Sequence, residues 1–208
     1  MYSLSIDDIC SNLFNSSNNR IILILSIDDY DPRNLEVAAL IKKYGFEKQT
    51  IFFIECISAE AQEQIKKLFD MGFQIGSHTL THCILTRTAL GQAKWEIEFS
   101  KKLLEKLLDK KVEWFAYPRG YYNKDIMEMV KNAGYKYART TLLRDCDSNF
   151  EKGGIHLSYP RKEYEGKNPF QVAKESEIEH YWFHVKELAY QYSFEELEKF
   201  LIYLKEGN

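Results

Sequence analysis

Paired cysteines, basic clusters, long apolar runs and low-complexity tracts are all missing from this chain of 208 residues, and each absence narrows what it can be. Cys10, Cys56, Cys83 and Cys146 stand far apart with no CxxC pair, so four free thiols in a reduced cytosol are expected rather than two disulfides. Lys and Arg number 28 against 31 Asp and Glu, a net charge of −3. No clustered positive face marks a nucleic-acid partner. The one lysine-rich stretch, Lys101, Lys102, Lys106, Lys110 and Lys111, alternates with leucines and reads as the solvated side of a helix. The apolar run Ile21–Ile27 is far short of the about 20 residues a transmembrane helix needs. Residues 1–14 contain Asp7 and Asp8 and lack both a basic opening and an apolar core, so no secretory signal is read and a cytoplasmic location is expected. Nothing in the sequence sets an oligomeric state.

What is present is ordinary for one globular domain: 45% hydrophobic and 28% charged residues, in a length that can bury roughly 70% of its unfolded surface. Asn15–Asn19 reads as a loop. Strand and helix signals then alternate. Ile21–Ile27, Thr50–Ile54, Phe73–Gly76, Val112–Ala116, Tyr135–Arg139, Ile155–Ser158 and Tyr181–Val185 read as strands. Asp31 with Pro32 opens a helix ending near Tyr44, and Ser58 opens another closed by Gly72. Residues from about Thr88 to Asp109 form a long helix with Ala93, Ile97 and Leu104 inward. Asn123 caps a helix that Gly134 ends, and Ser193 with Glu196 makes a capping box for the last one. This alternation predicts a parallel sheet with outer helices, and the number of strands points to a small or irregular barrel.

Parallel α/β folds gather chemistry at the carboxyl ends of their strands. There the chain places Asp28-Asp29, then His78 and His82 four residues apart, then Tyr117-Pro118-Arg119-Gly120, then Trp182-Phe183-His184. Singly, each has a plain structural explanation: a loop cap, an accidental spacing, a turn, a core histidine. Together, two imidazoles and one carboxylate make a common catalytic zinc set with open positions for water and substrate. A second carboxylate held beside them suits a base.

The ordered segments Ser26-Ile27-Asp28-Asp29, Gly76-Ser77-His78-Thr79-Leu80-Thr81-His82 and Phe115-Ala116-Tyr117-Pro118-Arg119-Gly120, followed by His184, resemble the motifs of the polysaccharide deacetylase family (carbohydrate esterase family four, the NodB-homology domain). The stretch Gly134–Thr141 also resembles members with an A-Y-P-x-G third motif, and the likeness runs from about Ile21 to Val185. It implies a distorted (β/α)7-type barrel, a single catalytic domain over residues 1–208, that removes acetyl groups from an acetylated sugar. By that resemblance Asp28 is the base, Asp29, His78 and His82 hold a divalent metal (zinc, with cobalt, nickel or manganese as alternatives), and His184 is the acid. The backbone N–H of Arg119 would stabilise the oxyanion, and Tyr117 and Trp182 would form a platform under the sugar. Two positions depart from the family pattern. Ala116 stands where many members have an arginine that pairs with the base, leaving Arg119, Arg139 or Arg161 to supply that charge. No clear counterpart exists for the aspartate that tunes the acid, although Asp145 and Asp147 lie in that region. Competing readings are a hydrolase of a small non-sugar amide and a catalytically silent glycan-binding relative.

Overall fold

In the first strand, β1 (Ile24–Asp28), Leu25 and Ile27 pack outward against helices while Ser26 and Asp28 point the other way. The same two-residue period sorts every other strand. These are β2 (Thr50–Ile54), β3 (Gln74–Ser77), β4 (Trp114–Ala116), β5 (Tyr137–Arg139), β6 (Glu151–Lys152), β7 (Ile155–His156) and β8 (His180–His184). The structure is a computed structural model that describes residues 23–143, 150–158, 161–176 and 180–206. The expectations for Ile21, for Asn15–Asn19, for Cys10 and Cys146, and for Asp145 and Asp147 lie outside those residues.

All strand pairs are parallel, in the order β6-β5-β4-β3-β2-β1-β8-β7. The two edge strands are separated in sequence only by Gly153 and Gly154, and they run in the same direction. Glu151–His156 is therefore one interrupted stave whose first half pairs with β5 and whose second half pairs with β8. Counted so, the curled sheet has seven staves, and the chain itself joins its edges. Gly154 allows that joint: a Cβ there would lie 2.5 Å from the His180 carbonyl oxygen.

Two apolar layers result. The outer one packs Leu25, Ile27, Phe52, Ile54, Phe115 and Phe183 against the helices α1 (Asn34–Lys43), α2 (Ala59–Asp70), α3 (Leu90–Leu108), α4 (Lys124–Asn132), α5 (Pro169–Glu175), α6 (Val185–Gln191) and α7 (Phe194–Glu206). The inner one is small: Ile51, Phe53, Trp114 and Ala116, with Ile24 and Tyr137. Phe53 fills so much of the lumen that a Cβ on Gly76 would sit 2.2 Å from its ring.

Apart from the start of β1, which was expected outside the described residues, predicted and observed strand ends agree within about two residues. Ser58 accepts a hydrogen bond from the Ala61 N–H (3.1 Å) and Asn123 from the Ile126 N–H (2.9 Å), as their sequence contexts implied. Asp31 does not cap α1 directly. It ties the turn before it, accepting from the Arg33 backbone N–H (2.9 Å) and guanidinium, and the helix begins at Asn34. The short helices α5 and α6 and the two-residue β6 escaped the sequence reading, because seven residues or fewer give no clear period. Among the described residues Cys56 and Cys83 are free thiols, and no helix is long and apolar enough to cross a membrane.

Gly154→Ala should lower unfolding stability by about 1–3 kcal/mol, the usual range for forcing an atom into a packed site. Urea denaturation measures it; a midpoint equal to the parent's would mean that the barrel joint tolerates a Cβ.

Candidate active site at the strand ends

The carboxyl end of β1 carries Asp28 inward, and Asp29 follows with φ +69°. An aspartate tolerates this left-handed conformation better than a branched residue would. The turn is held from outside: Asn34 Nδ2 donates to the Asp29 carbonyl (3.0 Å) and to Gln64 Oε1 (2.9 Å), while Gln64 Nε2 donates to the Asp31 carbonyl (2.9 Å). After β3, residues 78–82 do not form a helical turn. Thr79 (φ +65°) and His82 (φ +58°) are both left-handed, and this double reversal turns the two imidazoles toward each other, ring centroids 4.7 Å apart. Glu96, buried within the apolar stripe of α3, accepts from the Leu80 and Thr81 backbone N–H groups (3.0 Å each) and from the Thr81 hydroxyl (2.8 Å).

The result brings Asp29, His78 and His82 together as read from the sequence. Nε2 of His78 lies 3.4 Å and Nε2 of His82 3.3 Å from Asp29 Oδ1, with all three ligand atoms within 4.8 Å of one another. His78 Nδ1 lies 2.8 Å from the Ala116 carbonyl oxygen. A carbonyl only accepts, so the ring proton sits on Nδ1 and the Nε2 lone pair faces the aspartate. Asp29 Oδ1 is buried with no hydrogen-bond partner among the described residues. Burial lowers the His82 pKa to about 4, helped by His78, so its ring is neutral at pH 7. Two imidazole nitrogens and a carboxylate oxygen gathered at these distances are the donor set of a cation site, and two imidazoles with one carboxylate suit a divalent transition metal.

Asp28 is 3% exposed and meets the guanidinium of Arg139, itself 1% exposed, through Oδ2; Asp28 Oδ1 has no partner among the described residues. Arg139 stands on β5 directly opposite Ala116 on β4. The arginine absent at Ala116 is thus replaced from the neighbouring strand, at the same level of the barrel. Arg161, another candidate, binds the Thr141 carbonyl instead (2.6 Å), and Arg119 is exposed. The Arg139 guanidinium also lies 4.5 Å from the Trp182 ring centroid. Burial lowers its pKa to about 9, which leaves it charged at neutral pH.

His184, at the end of β8, points Nε2 toward the aspartates (4.0 Å from Asp28 Oδ2, 3.8 Å from Asp29 Oδ2). Its Nδ1 donates to Glu187 Oε2 (2.7 Å). Glu187 also accepts from the Ser158 hydroxyl (2.9 Å). Burial would raise its pKa, yet hydrogen bonds from His156, His184 and Ser158 hold it well below the usual carboxylate range. The sequence reading missed Glu187, although its spacing of three from His184 at a helix start was a usable signal. It also missed Glu55, half-buried at the end of β2 and accepting from the Tyr30 N–H (3.1 Å).

These groups open into one cleft of about 710 Å³ lined by Asp28, Asp29, Tyr30, Glu55, His82, His184, Lys186, Glu187 and Tyr190, among others. Tyr117 and Trp182 do not line it. Tyr117 is fully buried and stacks on Tyr122 (4.6 Å), and Trp182 is 4% exposed and stacks on His156 (3.8 Å). Neither ring has a face free for a sugar, so the platform expectation is corrected. Pro118 is buried as well, while Arg119 and Gly120 form a left-handed turn (φ +56° and +72°) that lies off the cleft wall.

A curled parallel sheet with a carboxylate–imidazole cluster in its mouth is an α/β barrel of the carbohydrate esterase type. The chain belongs to the polysaccharide deacetylase family, whose model matches residues 15–138. It is 30% identical over 128 residues to YxkH of Bacillus subtilis (strain 168), covering 60% of this chain and 46% of that protein. It is 29% identical over 124 residues to a peptidoglycan-N-acetylglucosamine deacetylase of Bacillus cereus, covering 57% and 56%. The chain thus spans about half the length of the curated relatives it matches. Among solved structures, the Streptococcus pyogenes deacetylase PplD in complex with acetate superposes with a TM-score of 0.65 at 20% identity, over 83% of this chain and 78% of that one. A Bacillus anthracis pseudoenzyme, BA3943, shares the same fold (TM-score 0.64, 16% identity, 91% of this chain and 62% of that one). Activity must therefore be argued from side chains rather than from the barrel.

Removing the Arg139 charge should expose how much the site depends on it. Arg139→Met leaves Asp28 buried and unpaired, and should cost about 3–5 kcal/mol in urea unfolding. The double variant Asp28→Asn/Arg139→Met should recover much of that loss. A loss in the double variant equal to the sum of the Asp28→Asn and Arg139→Met losses would mean that the pair is not coupled.

Proposed function

We propose that this chain is a divalent-metal-dependent deacetylase that hydrolyses the N-acetyl group of an acetylated amino sugar, acting as one catalytic domain. The observation that carries the reading is the pair of aspartates at the end of β1. One faces two imidazole nitrogens, and the other is clamped by a buried arginine through a single oxygen. Asp29, His78 and His82 would hold the ion, with zinc the best match to that set. When bound there, a divalent cation supplies Lewis-acid polarisation of the amide carbonyl and makes water a better nucleophile at neutral pH.

The chain's own residues account for the proton movements. Arg139 fixes Asp28 Oδ2 and keeps the carboxylate ionised, which leaves Oδ1 to take a proton from the attacking water. The Nε2 of His184 is the nearest donor for the departing amine, which cannot leave as an anion. Glu187 on Nδ1 fixes the ring orientation, the part an orienting carboxylate plays beside a catalytic histidine. Tyr30 and Tyr190, both in the cleft wall, replace Tyr117 and Trp182 as candidates for sugar contact.

A retained base, acid and ligand set favours catalysis over a silent glycan-binding role. With zinc or cobalt added, acetate should be released from N-acetylglucosamine oligomers. Asp28→Asn should lose about 10²–10⁴-fold of that rate while still binding metal at Asp29, His78 and His82. His82→Ala should weaken metal binding at least tenfold by calorimetry. Acetate release unchanged by Asp28→Asn would remove the base from the mechanism. Turnover of small amides but not of sugars would transfer the chain to the non-sugar class.

A further inference from the structure

A second set of ligand-type side chains lies behind His184. His156 on β7, His184 on β8 and Glu187 on α6 place one ligand atom each within 4.8 Å of the others. Nε2 of His156 is 3.3 Å and Nδ1 of His184 is 2.7 Å from Glu187 Oε2. The His156 ring is 2% exposed and held against Trp182, 3.8 Å between centroids at 16°. Its direction is therefore set by packing before any ligand arrives. The Ser158 hydroxyl sits 2.8 Å from His156 Nε2 and 2.9 Å from Glu187 Oε2, a fourth polar atom at the same point. His184 and Glu187 also line the cleft, so an ion has a way in. Two imidazoles, a carboxylate and a hydroxyl at such separations repeat the donor chemistry of the Asp29 cluster, on different residues.

We propose that His156, His184 and Glu187 form a second divalent-cation site, separate from Asp29, His78 and His82, and that filling it makes excess metal inhibitory. The inhibition rests on the deacetylase reading, in which His184 must donate a proton; the site itself does not. Coordination through Nδ1 replaces the hydrogen bond to Glu187. With Nδ1 on the ion the ring keeps a proton only on Nε2, and giving that proton up would leave an imidazolate, a far weaker acid than the imidazolium that the departing amine needs. Without metal the same atoms satisfy one another: Ser158 donates to Glu187 and accepts from His156, and His184 Nδ1 donates to Glu187. An ion must displace these bonds, so the second site should bind at least tenfold more weakly than the first.

The test is a calorimetric titration of the metal-stripped full chain with zinc, repeated with cobalt. Two binding events are expected, the tighter lost in His82→Ala and the weaker lost in both His156→Gln and Glu187→Gln. Circular dichroism checks that each variant folds. If His156→Gln does not fold, Glu187→Gln, whose side chain is 41% exposed, decides alone. Acetate release should fall at least twofold as the weaker site fills. A single event, or a second event that survives Glu187→Gln, would overturn the proposal. Loss of the weaker event in Glu187→Gln together with a titration indifferent to His82→Ala would support this site while refuting the Asp29 cluster. The two readings therefore fail separately.

Discussion

The ion pair between Asp28 and Arg139 is the constraint around which the mouth of the barrel is arranged. Both groups are almost fully buried, and taking two charges out of water costs several kcal/mol per ion unless each finds a partner in good geometry. The barrel supplies that geometry by register. Asp28 ends β1, Arg139 ends β5, and both point into a lumen whose deeper layer is closed by Ile51, Phe53 and Trp114. The guanidinium is further cushioned by the Trp182 ring. Because Arg139 occupies one carboxylate oxygen of Asp28 and no described residue occupies the other, the pair leaves a single acceptor beside the cluster of Asp29, His78 and His82. A simple structural pair would close on itself; this one leaves one carboxylate oxygen free of protein partners among the described residues.

The neighbouring cluster depends on backbone conformations that carry a cost of their own. Asp29, Thr79 and His82 all have positive φ, and non-glycine residues hold such angles only where the surroundings over-determine them. Asn34 and Gln64 do so for the Asp29 turn, and Glu96 does so for the histidine loop. These three buried polar side chains sit on the outer helices. The helical layer thus reaches past the sheet to set the site, and α1, α2 and α3 are part of the active-site architecture as well as its cover. On the far side, Glu187 and Ser158 do the corresponding work for His184. A mouth held from both sides can keep like groups close together without help from a deep pocket.

Much of this was legible in the chain itself, and for reasons that differ by residue. Hydrophobic period and cap residues located the long elements, since a run such as Thr50–Ile54 or a stripe such as Ala93, Ile97 and Leu104 is a local signal. Ser58 and Asn123 cap as read because capping is decided within one turn of chain. Asp28, Asp29, His78, His82 and His184 were recognisable because strand ends are where a parallel sheet gathers chemistry. The short pieces around residues 150–176 were not legible, as they depend on what they close against.

What the sequence by itself determined, then, is the alternating fold, the family and the residue types of the metal-type cluster, all of which follow from local pattern and order. Only the tertiary structure decided which arginine meets Asp28. Arg119, Arg139 and Arg161 were equal on paper, and strand register alone puts Arg139 opposite Ala116. It likewise decided that Glu187 partners His184, that Glu96 steadies the histidine loop, and that Tyr117 and Trp182 are interior rings rather than sugar platforms. The reason is common to all four: burial and pairing are properties of distance in space, and the partners lie anywhere from three to more than a hundred residues apart along the chain.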